Sequence, residues 1–249
     1  MTEERPFAGR PGPGAGRLLA ELHAEMRACR LCAEAGYDMT APPIFRGGPG
    51  ARVMLIGQAP GVTEVEAQRP FNAGSGRRLF QWLGAAGWEE DDFRARHYMT
   101  AVNKCYPGKA ANGKGDRVPS KAEQALCRPF LEREIALINP VLMLLVGGLA
   151  IKLLYPASAR LKDIIGTAAY FPPEALADNP VNFNLKSAQV FKPTDDNLQS
   201  PIPNLESGRW VVPLPHPSGA SLWPNKPENQ ESIGRAIDIL REIRLNLEL

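Results

Sequence analysis

The chain carries four cysteines, Cys29, Cys32, Cys105 and Cys127, and no others. The first two form a C-x-x-C pair. Cys105 follows a β-like run, and Cys127 opens a helix-like run. Four thiolates, two close and two far apart, can converge on one metal centre, and zinc and a 4Fe–4S cluster both accept such a set. Spacing alone leaves both open. A second chemical signal is Pro215-His216-Pro217-Ser218-Gly219, an imidazole held between two prolines. A histidine on such a loop can donate a hydrogen bond to an oxygen that gathers negative charge. A third is Gly57-Gln58-Ala59-Pro60-Gly61, where Gln58 offers an amide and backbone but no general base. Glu64 and Glu66 are the nearest carboxylates.

Composition narrows the classes. A length of 249 residues with 44% hydrophobic residues supports one α/β domain with insertions. The net charge is +2, so any affinity for nucleic acid must come from a local patch. No apolar run approaches the roughly 18 residues that span a bilayer. Thr2-Glu3-Glu4-Arg5 followed by Pro and Gly does not read as a secretory signal. A cytoplasmic, monomeric protein without membrane association is therefore expected. In that reducing compartment, spaced cysteines read as metal ligands rather than disulfides.

These residues need elements to position them. Residues 1–16 predict a disordered tail, and a helix starts at Arg17 with Leu18, Leu19, Leu22 and Met26 on one face. Strands are expected over 52–56, 97–102, 141–146 and 210–214, and helices over 77–87, 120–138, from 147 and over 228–249. Ser120 and Glu123 form a capping box for the second long helix. Residues 156–208 read as irregular. This alternation predicts a three-layer α/β/α architecture around a central, mainly parallel four-stranded sheet. In such sheets a ligand sits beyond the carboxyl ends of the strands. The three conspicuous segments, G-Q-A-P-G, Asn103-Lys104-Cys105 and H-P-S-G, all fall at strand ends.

Taken in order, C-x-x-C, strand, G-Q-A-P-G, R-P-F, strand, K-C, C-R-P-F-L-E-R and H-P-S resemble the uracil-DNA glycosylase superfamily, in particular its iron–sulfur members. The resemblance runs from about Arg27 to the C-terminal helix and is strongest to the group called family 4. Gln58 stands where that family has Glu, and Asn72 where it has Val. In Thr100-Ala101-Val102-Asn103-Lys104-Cys105, Ala101 stands where family 4 places the Asn that reads the uracil edge. Family 5 also tends to carry Ala there. Stretches 106–120 and 171–208 look inserted.

The resemblance implies a monofunctional glycosylase that removes uracil, and other deaminated bases, from DNA to leave an abasic site. It implies a structural 4Fe–4S cluster on Cys29, Cys32, Cys105 and Cys127 rather than zinc. His216 is the expected donor to the departing base, with Gln58 beside it. Gly57, Gln58, Ala59, Pro60, Gly61, Phe71 and Asn103 are expected to line the base pocket. Phe71 is expected to stack on the flipped base. Ser218, Gly219, Ser221, Lys109, Lys114 and Arg117 are expected to contact the DNA backbone. A DNA-binding module that recognises uracil or abasic sites without turnover is the alternative, because no Asp stands at position 59 and position 101 is Ala.

Overall fold

The structure is a computed structural model and describes residues 12–113, 115–192, 207–219 and 221–249. Helix α1 (Ala15–Ala28) and a single turn, α2 (Leu31–Glu34), precede strand β1 (Val53–Gly57). Helices α3 (Val62–Ala67), α4 (Ala73–Ala85) and α5 (Glu90–Arg96) lead to β2 (Tyr98–Ala101). Helix α6 (Lys121–Ile138) is followed by β3 (Leu142–Val146) and the short α7 (Gly148–Ile151) and α8 (Leu161–Ile164). Then come β4 (Ala168–Phe171), α9 (Pro173–Ala177), β5 (Gln189–Phe191), β6 (Arg209–Leu214) and α10 (Pro227–Asn246).

The described residues form one six-stranded sheet in the order β2-β1-β3-β6-β4-β5. The four strands expected from sequence make its parallel part, with Leu55 paired to Met99 on one side and to Leu144 on the other. The expectation of a four-stranded sheet is corrected by β4 and β5, which add antiparallel to the β6 edge. Both lie in the stretch that reads as irregular. Each spans four residues or fewer, among prolines and asparagines, too short for a periodic signal. Most of the expected tail lies outside the described residues, and α1 already begins at Ala15.

β1, β2, β3 and β6 are buried along their whole length, which is why they read as continuous apolar runs. Each fully buried Leu, Ile or Val contributes about 1.5–3 kcal/mol relative to exposure. Helix α1 turns Leu19, Leu22 and Met26 inward and packs on α6. That contact carries the C-x-x-C pair at the end of α1 toward Cys127 in α6. The Ser120/Glu123 capping box is present: Ser120 Oγ accepts from Glu123 N–H at 3.2 Å and Glu123 Oε2 accepts from Ser120 N–H at 2.6 Å.

β1 is flanked by β2 on one side and β3 on the other, so the chain reverses direction across the sheet beside it. The gap beyond its carboxyl end is where doubly wound sheets bind ligands.

Candidate active site

One cavity opens at that place. Gly57, Gln58, Ala59 and Pro60 from the end of β1, Thr100 and Ala101 from β2, Val146 from β3, and His216 and Pro217 after β6 line it. Pro70, Phe71 and Ser75 close it from the α3–α4 connection, and Glu64 lies in its wall. Of these, Gly57, Gln58, Ala59, Pro60, Phe71 and His216 are residues expected at the base pocket. It did not foresee the web that fixes Phe71.

Phe71 adopts a left-handed backbone with φ of 51°. A side-chain-bearing residue reaches that conformation only when its surroundings hold it there. Glu64 Oε1 accepts the Phe71 N–H at 2.5 Å, and Glu64 Oε2 accepts the Gly61 N–H at 2.6 Å. The buried Arg94 guanidinium donates to the Pro70 and Phe71 carbonyls, each at 2.8 Å. Two glycines make room. A Cβ on Gly57 would sit 2.8 Å from the Phe71 ring, and one on Gly76 would sit 1.8 Å from the Phe71 carbonyl oxygen. The tip of the ring therefore abuts the end of β1 at Gly57, and the Phe71 main chain abuts α4 at Gly76. Burial raises the Glu64 carboxyl above its ordinary value, against the lowering pull of its two backbone donors.

His216 is fixed by its own turn. Its Nδ1 accepts the Ser218 N–H at 3.2 Å and meets the Ser218 hydroxyl at 2.9 Å. The acceptor role of Nδ1 assigns the ring proton to Nε2. Desolvation lowers the imidazole pKa, opposed by the charge of Asp116, so the ring is neutral at physiological pH. Gly147, with φ of 87°, leaves space for the ring, since a Cβ there would stand 2.9 Å from His216 Cδ2.

Several expected residues sit elsewhere. Gly61 does not line the cavity, because its N–H is committed to Glu64. Asn103 is fully buried on the other side of the β2 end, donating through Nδ2 to the Glu123 carbonyl at 3.0 Å. Residues 102–104 have left the β2 ladder, so strand alternation does not carry Asn103 back to the cavity. Arg117 does not present a free charge. It grips both Glu123 oxygens at 2.6 and 2.8 Å, holding that carboxyl down to about 2. Lys109 is exposed but pairs with Asp116 at 3.2 Å. Ser218 is spent on His216, and Ser221 N–H closes the turn onto the Ser218 carbonyl at 3.0 Å. Gly219 is exposed on the same loop. Lys114 lies outside the described residues.

The four cysteines line a second cavity with Met26, Leu31, Met39, Pro43, Leu126 and Phe130. Burial, followed by the neighbouring Cys127, Cys32 and Cys29, pushes Cys105 up to about 12. The four thiols thus face one apolar space and feel one another. Among the described residues no three His, Cys, Asp or Glu side chains gather closely enough to hold a single metal ion. Between the two cavities, Lys104 is buried against Glu134 at 2.8 Å and donates to the Ala101 carbonyl at 2.6 Å. Glu134 also accepts from Tyr98 and Thr100, each at 3.0 Å.

Comparison with known proteins gives a consistent result. Residues 45–241 match the family described as "Uracil DNA glycosylase superfamily". A type-4 uracil-DNA glycosylase of Pyrobaculum aerophilum is 30% identical over 148 residues, 59% of this chain and 70% of that protein. Proteins of the same name from Sulfurisphaera tokodaii and Thermotoga maritima are 30% and 29% identical over 55% and 54% of this chain. The matched stretches cover 58% and 64% of those two relatives. No described helix is long and apolar enough to cross a membrane.

Proposed function

The chain belongs to the uracil DNA glycosylase superfamily, and we propose that it is a monofunctional glycosylase hydrolysing the N-glycosidic bond of uracil, and of other deaminated bases, in DNA. One observation carries this reading: Phe71 and His216, far apart in sequence, line the same cavity over the carboxyl ends of the parallel strands.

A base inside a duplex cannot reach such a cavity, so it must leave the stack. Phe71 offers a fixed aromatic face for it, already held by Glu64 and Arg94. The Gly57–Pro60 turn and the Gln58 amide supply polar groups for its edge. Bond cleavage leaves a cation-like sugar and pushes electrons onto the base. The Nε2–H of neutral His216 meets that developing charge as a hydrogen-bond donor, and burial strengthens the interaction. Because the donor is neutral, it has no positive charge to desolvate before the reaction. Among the described residues no lysine lines the cavity, and an abasic product without Schiff-base strand cleavage is expected. The loop after His216 ends in Leu222, 76% exposed. It is an apolar side chain available to fill the gap that the extruded base leaves.

Cys29, Cys32, Cys105 and Cys127 would hold a 4Fe–4S cluster. The support is a shared apolar cavity lined by all four cysteines. Such a centre supplies folding energy by tying the segment after α1 to α6 and to the loop after β2.

Incubation with a uracil-containing oligonucleotide followed by alkali tests the reading. Strand scission dependent on uracil supports hydrolysis. Tight binding without scission under single-turnover conditions supports recognition without turnover.

A further inference from the structure

Nothing in the G-Q-A-P-G turn can accept a proton from water near neutral pH, and Glu64 has both oxygens occupied by backbone donors. Another carboxylate, Asp116, stands beside that turn at Gly61. Asp116 lies within the inserted stretch 106–120 and bridges antiparallel to Lys109. Its Oδ1 accepts from the Tyr106 hydroxyl at 3.1 Å and from Lys109 Nζ at 3.2 Å. Its Oδ2 points at the turn that forms the cavity wall. A Cβ on Gly61 would lie 3.1 Å from Asp116 Oδ2 and 3.4 Å from Glu64 Oε2. The side chain is 32% exposed.

We propose that Asp116, carried by the inserted loop, is the carboxylate that holds and deprotonates the attacking water. The inference rests on the glycosylase reading. Water oxygen bonds to the sugar C1′ while the bond from C1′ to the base nitrogen breaks. The electron pair of that bond leaves with the base, and the water proton passes to Asp116 Oδ2. Tyr106 and Lys109 position the carboxylate through Oδ1. The nearby negative charge also favours the cation-like sugar. Its charge reaches two residues of the cavity wall on different elements: it opposes the burial-driven lowering of His216 and adds to the burial-driven raising of Glu64.

The placement accounts for a glycine. Gly61 is in an extended conformation open to any residue, with φ of −92°, but a side chain there would push against Asp116.

The test is single-turnover cleavage of a uracil oligonucleotide by the full chain, comparing wild type with Asp116→Ala and Asp116→Asn. The expected result is a rate lower by about 10²-fold, with oligonucleotide affinity unchanged. Added formate is expected to restore part of the Asp116→Ala rate and none of the Asp116→Asn rate, which has no vacant space for it. A Tyr106→Phe variant, which keeps the carboxylate but loosens it, is expected to lose less. Rates within threefold of wild type in both Asp116 variants would overturn the proposal while leaving the glycosylase reading intact. No scission by wild type would instead overturn the reading itself. A variant that fails to fold is identified by lost oligonucleotide binding, and Tyr106→Phe then decides: a wild-type rate overturns the proposal.

Discussion

Two cavities lie back to back at the end of β2, and they are built from opposite materials. The first is lined by Thr100 and Ala101, the second by Asn103, Lys104 and Cys105. In the first, polar groups converge on a space made for a ligand, and its walls are held by bonds to main chain: Glu64 to Phe71, Arg94 to Phe71, Ser218 to His216. In the second, four thiols face apolar walls, and the surrounding bonds tie distant segments together. Arg117 reaches the Asp38 carbonyl and Glu123, and Asn103 reaches Glu123. Rigid positioning serves chemistry, and long-range ties serve folding. Two variants of similar size should therefore fail in different ways.

The largest effect is expected from Cys127→Ser. The cysteine cavity then loses one of its four thiols, and with it the several kcal/mol of folding energy that the proposed cluster would supply. Calorimetry should show a large fall in melting temperature, and visible absorbance should fall with it. His216→Ala should do the reverse. Loss of a preorganised donor costs about 10²–10³ in rate, with the melting temperature and the visible spectrum unchanged. If His216→Ala unfolds the protein, or if Cys127→Ser is stable but inactive, the division between the two cavities is wrong.

A pH series sharpens the contrast with a third region. His97 is buried against Phe93 with no partner for either ring nitrogen among the described residues, and burial lowers its pKa to about 4. The unfolded chain binds a proton there below about 6.5. Stability is therefore full above pH 6.5 and falls as pH drops toward 4, by about 3 kcal/mol. His97→Phe should flatten that fall in thermal unfolding between pH 7 and 4.5. The His216 shift has the same sign, so cleavage should not gain from protonation between pH 8 and 6.5. The smallest effect is expected from Ala101→Asn, which adds an amide to the base cavity. Uracil binding should tighten by about 1 kcal/mol, read as a lower KM at unchanged kcat.

Much of this organisation is legible in the chain. Buried parallel strands announce themselves as apolar runs, and the turn residues at their ends sit where doubly wound sheets bind ligands. The Ser120/Glu123 box follows from such a local rule, whereas the expectation that Phe71 meets His216 comes from the family resemblance. What the sequence hides is pairing over distance. Nothing in Arg94 or Glu64 says that they clamp a backbone many residues away. Arg117 reads as a DNA-contacting cation and Lys104 as part of a strand-end segment, yet Glu123 and Glu134 claim them. Asn103 lies two residues past the end of β2, where alternation no longer applies. β4 and β5 gain their strand character from the β6 edge rather than from their own composition.

A crystal structure of the protein soaked with free uracil tests the central claim most directly. The account predicts the pyrimidine ring stacked on Phe71, with a uracil carbonyl oxygen within hydrogen-bond distance of His216 Nε2. Uracil bound away from Phe71 and His216, with their shared cavity left empty, would contradict it.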